Sequence, residues 1–317
     1  MSSTRTRVRF ADVIEDDERP RKRLRIDDRA VDAFQDIERP AKSSHRLGVL
    51  PSGNAFLSSR AKNIRPSGLG NLRVLPDAAL FVLLGSFDAN ALRSLGGTSR
   101  TLYAYTSHEP IWKDLYVSQS QGHLLAWEGT WKRTYLRSFS PVQYIPLPQA
   151  PDVDASGLYS DELFQPTLCA RTSLHSYFFP HALRARSTIP LEDGRKLSNA
   201  IFNDLYAKRS KPLLITHAID EWPAYKEHLW TMDNLEERYQ HVAFRAEALD
   251  VPLCVYKHYM DDCDEEDSPL YLFDSHFVEK TGGMGNEYLP FPWVGEDFFA
   301  LLGEERPDHR WLVGRFA

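Results

Sequence analysis

The sequence predicts an α+β protein with a charged tail over residues 1–70, a small all-helical segment over 71–138 and a mixed strand-and-helix region over 189–317. Three observations carry this reading. Leu80, Leu83, Leu84 and Phe87 recur at i, i+3, i+4 and i+7, the apolar stripe of one helix. Leu213-Leu214-Ile215-Thr216 and Ser268-Pro269-Leu270-Tyr271-Leu272-Phe273-Asp274 are short apolar runs of branched and aromatic residues, the pattern of buried strands. The first 70 residues mix Arg-rich and acidic patches with few apolar residues and no sustained period, the composition of a disordered tail.

The 317 residues suffice for two modest domains plus tails. A net charge of −6 argues against a nucleic-acid scaffold, but it is unevenly spread. Residues 1–70 hold 15 Lys and Arg against 10 Asp and Glu, so they carry +5 and the remainder −11. Cys169, Cys254 and Cys263 are odd in number and widely spaced, which builds neither a disulfide framework nor a paired-cysteine zinc site. No apolar run approaches membrane-spanning length and the first residues lack a secretory core, so a nuclear or cytoplasmic protein without a membrane partner is expected. Within the tail, Arg19-Pro20-Arg21-Lys22-Arg23-Leu24-Arg25 has the density of a nuclear import signal, and tilts that expectation toward the nucleus.

In the helical segment, Leu75-Pro76-Asp77 reads as a helix start, with proline pre-setting the backbone and Asp77 at the positive end of the dipole. Asp88 caps a second helix carrying Leu92 and Leu95, which Gly96-Gly97 ends. Ser99–Tyr105 gives a third, and Pro110–Tyr116 a short aromatic turn containing Trp112. Three short helices make a small core, and such a unit usually leaves an apolar face for a partner. Trp127, Trp131 and Tyr135 follow at i, i+4 and i+8 with Thr130 as a cap, an aromatic stripe that packs as a rigid bridge between domains.

Residues 139–188 read as a linker or wrapping segment, Pro-rich over 141–157 and of unassigned structure beyond. In the second region Ser198 caps a helix with Leu197, Ile201 and Leu205 on one face, and Thr231 caps another carrying Leu235 and Tyr239. His241–Arg245 is a strand and Val251–Tyr259 a strand or a strand-to-helix junction. The acidic run Asp261–Asp267 lacks the central glycine and closing glutamate of a calcium loop and reads as a solvated loop. Glu296–Leu302 is a helix stopped by Gly303, and Arg310–Gly314 a last strand.

Leu-Pro at the start, a Leu/Phe-rich first helix, Leu92 and Leu95 in the second and a terminal Ile-Trp-x-x-Leu together resemble the F-box over Leu75–Tyr116. The resemblance implies a surface that docks the Skp adaptor of a cullin ubiquitin ligase, formed by Leu75, Pro76, Leu80, Leu83, Leu84, Phe87, Leu92, Leu95 and Trp112, with the rest of the chain selecting a protein target. The family's Val-Cys-Arg-x-Trp run is replaced here by Gly97-Thr98-Ser99-Arg100-Thr101-Leu102-Tyr103.

From about Ile189 to Gly314 the order of elements resembles the front half of a JmjC domain, the cupin-like double-stranded β-helix of iron(II) and 2-oxoglutarate oxygenases. The matching pieces are Lys211–Ile215, the Trp222 turn, Trp230-Thr231, Tyr256–Met260, Asp267–Asp274 and the Arg310-Trp311 strand, and the arginine-demethylase and lysyl-hydroxylase branch fits best. The resemblance implies that iron is held by a His-x-Asp pair on the next strand and a later histidine, ligands this chain stops short of; no histidine here has Asp or Glu two residues on. Tyr256 reads as a barrel-wall aromatic. The expectation is therefore an incomplete JmjC domain behind an F-box. It has no catalytic, cofactor-binding or metal residues of its own, and Fe(II) and 2-oxoglutarate belong only to a full-length relative. Recruitment to a ubiquitin ligase leads as the function, with the front half of a protein hydroxylase or demethylase as the alternative.

Overall fold

The computed structural model describes residues 45–57, 62–140, 153–172, 189–263, 266–293, 295, 298–305 and 311–314. The expected disorder of residues 1–44 and the basic run within them lie outside the described residues. Helices and sheet together bear out the α+β class.

Local capping chemistry sets the helical part. Helix α1 (Asp77–Gly85) starts behind extended Pro76, which spends its missing N–H where the helix has no partner to offer. Asp77 also accepts from Tyr105 Oη at 2.8 Å and from Arg65 Nε at 3.0 Å, so the helix start is an anchored polar node. Helix α2 (Ala89–Gly96) is capped by Asp88, helix α3 (Arg100–Thr106) by Ser99 and helix α5 (Trp131–Phe139) by Thr130, each accepting the N–H three residues on. Gly96 differs from its expected role as a terminator. A Cβ there would sit 2.5 Å from Thr106 Oγ1, so the glycine lets α2 and α3 approach closely. The predicted aromatic turn is a full helix, α4 (Glu109–Gln119), because Pro110 occupies its first turn and Ile111, Trp112 and Tyr116 share its buried side.

Residues assigned to the tail and linker are partly core. Leu47, Val49 and Leu69 are buried, Leu50 bridges to Tyr159, and Ala155 and Leu158 are fully covered. Helix α6 (Asp161–Arg171), capped by Ser160, carries Pro166 inside, which hid it from a reading by breaker residues. Backbone hydrogen bonds tie these segments together, Ala155 N–H donating to Leu47 O at 2.8 Å and Leu50 N–H to Leu158 O at 3.0 Å.

In the second region β1 (Leu191–Asp193) and β2 (Leu214–Thr216) pair in parallel. The expected burial of β2 is not found: Leu214 is exposed, on a pair that has two strands among the described residues. Ser198 caps its helix as expected. Strand β3 (Ala243–Ala246), strand β4 (Leu249–Pro252), strand β5 (Leu272–Asp274) and strand β6 (Leu312–Gly314) form an antiparallel sheet in the order β4-β3-β5-β6. The strand-to-helix junction is real: α8 (Leu253–Asp262) follows β4 directly, while α7 (Met232–Tyr239) precedes β3. The described strands make this sheet and one parallel pair, and no double-stranded β-helix is traced by them.

Buried residues of the described helices and of the antiparallel sheet share one core cluster. The backbone at Gly122–Leu124 runs along the free edge of β4, with Asp250 N–H donating to Gly122 O at 2.7 Å and Leu124 N–H to Asp250 O at 3.1 Å. Trp127 packs edge-on against Tyr259 of α8 at 4.9 Å between centroids, and Trp131 meets the same ring tilted at 6.0 Å. Such aromatic pairs add about 0.5–1.5 kcal/mol each beyond their buried area.

Candidate functional site

A cavity of about 300 Å³ lies where the helices meet the loop after α8. Its apolar wall comes from Leu47, Ala104, Trp131 and Leu163, and its polar wall from His45, His108, Glu109, Lys113 and Glu266. Three distant stretches converge on it, and each is fixed by a named contact. His45 Nδ1 accepts the Leu47 N–H at 3.1 Å. Glu109, the first residue of α4, accepts the Trp131 backbone N–H on Oε2 at 2.5 Å. Glu266 accepts the Trp131 indole N–H at 2.7 Å and the Tyr259 hydroxyl at 2.8 Å. Glu266 therefore leaves the solvated loop to which the acidic run assigned it, since a buried indole and a buried phenol both need an acceptor there.

The electrostatics follow from burial. Glu109 is pushed up to about 7 from an ordinary 4.5 by desolvation, against the pull of the Trp131 N–H. His45 falls to about 4 from 6.5, first through burial and then through the nearby Arg46 charge. His108 falls to about 4 from 6.5 through burial and through His45. Lys132 drops to about 8 by desolvation, its Nζ donating to Ser107 Oγ at 2.8 Å and lying 4.5 Å from the Tyr103 ring centre.

These shifts have opposite consequences for stability. A carboxyl raised on folding binds more protons in the folded state, so Glu109 contributes less as pH rises from 4.5 through 7. Histidines lowered on folding bind fewer, so His45 and His108 contribute stability that is lost as pH falls from 6.5 through 4. Two protons outweigh one below 6.5, and the opposing contributions nearly cancel around pH 7, where the unfolded histidines are still partly protonated. The Tm is expected to climb with pH and level off near 7. Glu109→Gln is expected to steepen the climb, which a pH series of thermal melts checks.

The nine residues expected to dock an adaptor are not gathered on a surface. Leu80, Leu84, Leu92 and Trp112 are fully buried, Leu75, Leu83, Phe87 and Leu95 are half-buried, and only Pro76 is exposed. Leu80, Leu84, Leu92 and Trp112 thus lie on the inner face of the helical layer and pack the core. Tyr256 is core, as expected: its hydroxyl donates to Leu270 O at 3.1 Å and accepts the Leu272 N–H at 3.2 Å. Among the described residues no three His, Cys, Asp or Glu side chains come together as metal ligands. Among the described residues no helix is long and apolar enough to cross a membrane.

No family model matches the chain. It is 33% identical over 273 residues to the arginine-specific demethylase JMJ22 of Arabidopsis thaliana, covering 86% of this chain and 52% of the relative. It is 30% identical over 263 residues to the lysine-specific demethylase JMJ21 of the same plant, covering 78% of this chain and 26% of the relative. The bifunctional arginine demethylase and lysyl-hydroxylase psr-1 of Caenorhabditis elegans is 30% identical over 137 residues, 40% of this chain and 34% of the relative. These similarities support a JmjC-type domain; they give no support to an F-box. The chain spans about half the length of the first of these relatives and less of the others.

Proposed function

We propose that this chain is part of a JmjC-type, 2-oxoglutarate-dependent oxygenase acting on arginine or lysine side chains of proteins, and that the described residues form its scaffold. The observation that carries the reading is the match to an arginine-specific demethylase across 86% of the chain. It runs through both the helical layer and the sheet, so the two are read as one inherited unit. In such enzymes iron and 2-oxoglutarate supply the oxidising chemistry. The scaffold's own task is to fix β3, β5 and β6 against the helices, through Phe244, Ala246 and Leu272 on the covered face of the sheet. A nuclear location belongs to the same proposal, with the basic run at Arg19–Arg25 as its support.

The test is a chimera that joins this chain to the part of the Arabidopsis arginine-specific demethylase lying outside the match. With iron(II), 2-oxoglutarate and a methylarginine or lysine peptide, the chimera is expected to release succinate in a peptide-dependent way. A chimera that folds cooperatively yet turns over neither peptide would overturn the reading. Iron-dependent succinate release by the 317-residue chain alone would contradict its role as scaffold.

A further inference from the structure

The cavity beside Glu109 has features that folding alone does not require. Glu109 Oε1 is sealed from solvent and has no hydrogen-bond partner, while its sister oxygen is held by the Trp131 N–H. A buried acceptor without a donor costs stability, about 1–3 kcal/mol for a neutral group and more for a charged one. Such a group is retained where something else satisfies it. The cavity that Glu109 lines has the size of the smaller ligand sites and the usual make-up of an apolar wall with a few polar groups. Its ionisable lining leans acidic, with Glu109, Asp114, Glu266 and Asp267 against Arg46 and Lys113. Lys113 is already engaged, donating to Ser268 O at 2.8 Å.

We propose that this cavity binds a small organic cation, an alkylammonium or alkylguanidinium, whose N–H groups are accepted by Glu109 and whose carbon chain lies against Leu47, Leu163 and Trp131. The charge selects the ligand, since a cation meets an acceptor without a donor beside a largely apolar wall, where a charge-assisted hydrogen bond is stronger than in bulk water. The apolar wall selects its length. The site lies on the helical side of the molecule and involves none of the strands assigned to the oxygenase scaffold, so it stands or falls separately from that reading.

The test uses the intact chain with n-butylammonium chloride and n-butanol as matched probes, followed by ligand-observed NMR at about pH 8, where the Glu109 carboxyl is ionised. The ammonium is expected to bind at least about tenfold more tightly than the alcohol, the worth of one charge-assisted hydrogen bond. Glu109→Gln, which keeps an acceptor for the Trp131 N–H, is expected to remove most of that preference. A lysine tripeptide with blocked ends, run beside the free amine, separates a protein side chain from a free small molecule as the source of the cation. Equal binding of the two probes, binding of neither, or an unchanged preference in Glu109→Gln would overturn the proposal. The comparison of probes on the unmodified chain stands even if the variant fails to fold.

Discussion

Leu84→Glu is expected to leave the chain without a cooperative thermal transition. Leu84 sits at zero exposure on the inner side of α1, so its replacement puts a carboxylate where no donor is offered and removes a packed side chain. The loss is expected to exceed about 4 kcal/mol, which takes most of the stability of a protein that begins with roughly 5–15 kcal/mol. Val82 supplies the contrast. It lies two residues away on the same helix at 78% exposure, and Val82→Glu is expected to change stability by no more than about 0.5 kcal/mol. Circular dichroism melts of the two variants decide the matter. An adaptor-binding face on Leu80 and Leu84 would give the opposite pattern, a folded Leu84→Glu protein that has lost only a partner.

Trp131→Ala is expected to cost about 3–5 kcal/mol, the usual range for truncating a buried tryptophan. Trp131 is a joint more than a filler. Its ring meets Tyr116 of α4 at 5.6 Å and Tyr259 of α8 at 6.0 Å, and its indole N–H bonds Glu266 at 2.7 Å. Truncation therefore opens a void between helices and sheet together, and deprives Glu266 Oε1 of its indole donor. Glu266→Gln alone is expected to cost less, and in the double variant the two losses are expected not to add, because they interrupt one bond. Chemical denaturation of the three variants measures the coupling.

What could be read from the sequence was what residues settle with near neighbours. Asp88, Ser99, Thr130 and Ser198 announce their helices because a cap bonds the N–H three residues on, within the same short stretch. The strands at Phe244 and Leu272 were legible as short apolar runs, whereas their order in the sheet is set by pairings between distant residues. The stripe at Leu80 and Leu84 was legible as a face but not as a buried one, since periodicity says which side chains point together and not what covers them. The cover is the core cluster that these two share with Leu69, Ile111 and Trp112. The cavity was invisible for a stronger version of that reason. Glu109 meets Trp131 across 22 residues and Trp131 meets Glu266 across 135, and nothing near Glu109 marks it as other than a first-turn carboxylate favoured by the helix dipole. Glu266 was hidden inside an acidic run, a composition that reads as solvated unless the indole above it is known.

The helical layer and the antiparallel sheet are expected to behave as one cooperative unit joined at Trp131. Native-state hydrogen exchange on Trp131→Ala tests this most directly. Amides of α1, around Leu80–Leu84, and amides of β3 and β5, around Phe244–Ala246 and Leu272, are expected to lose protection together and by similar factors. Loss confined to the helices, with the sheet as protected as before, would contradict it.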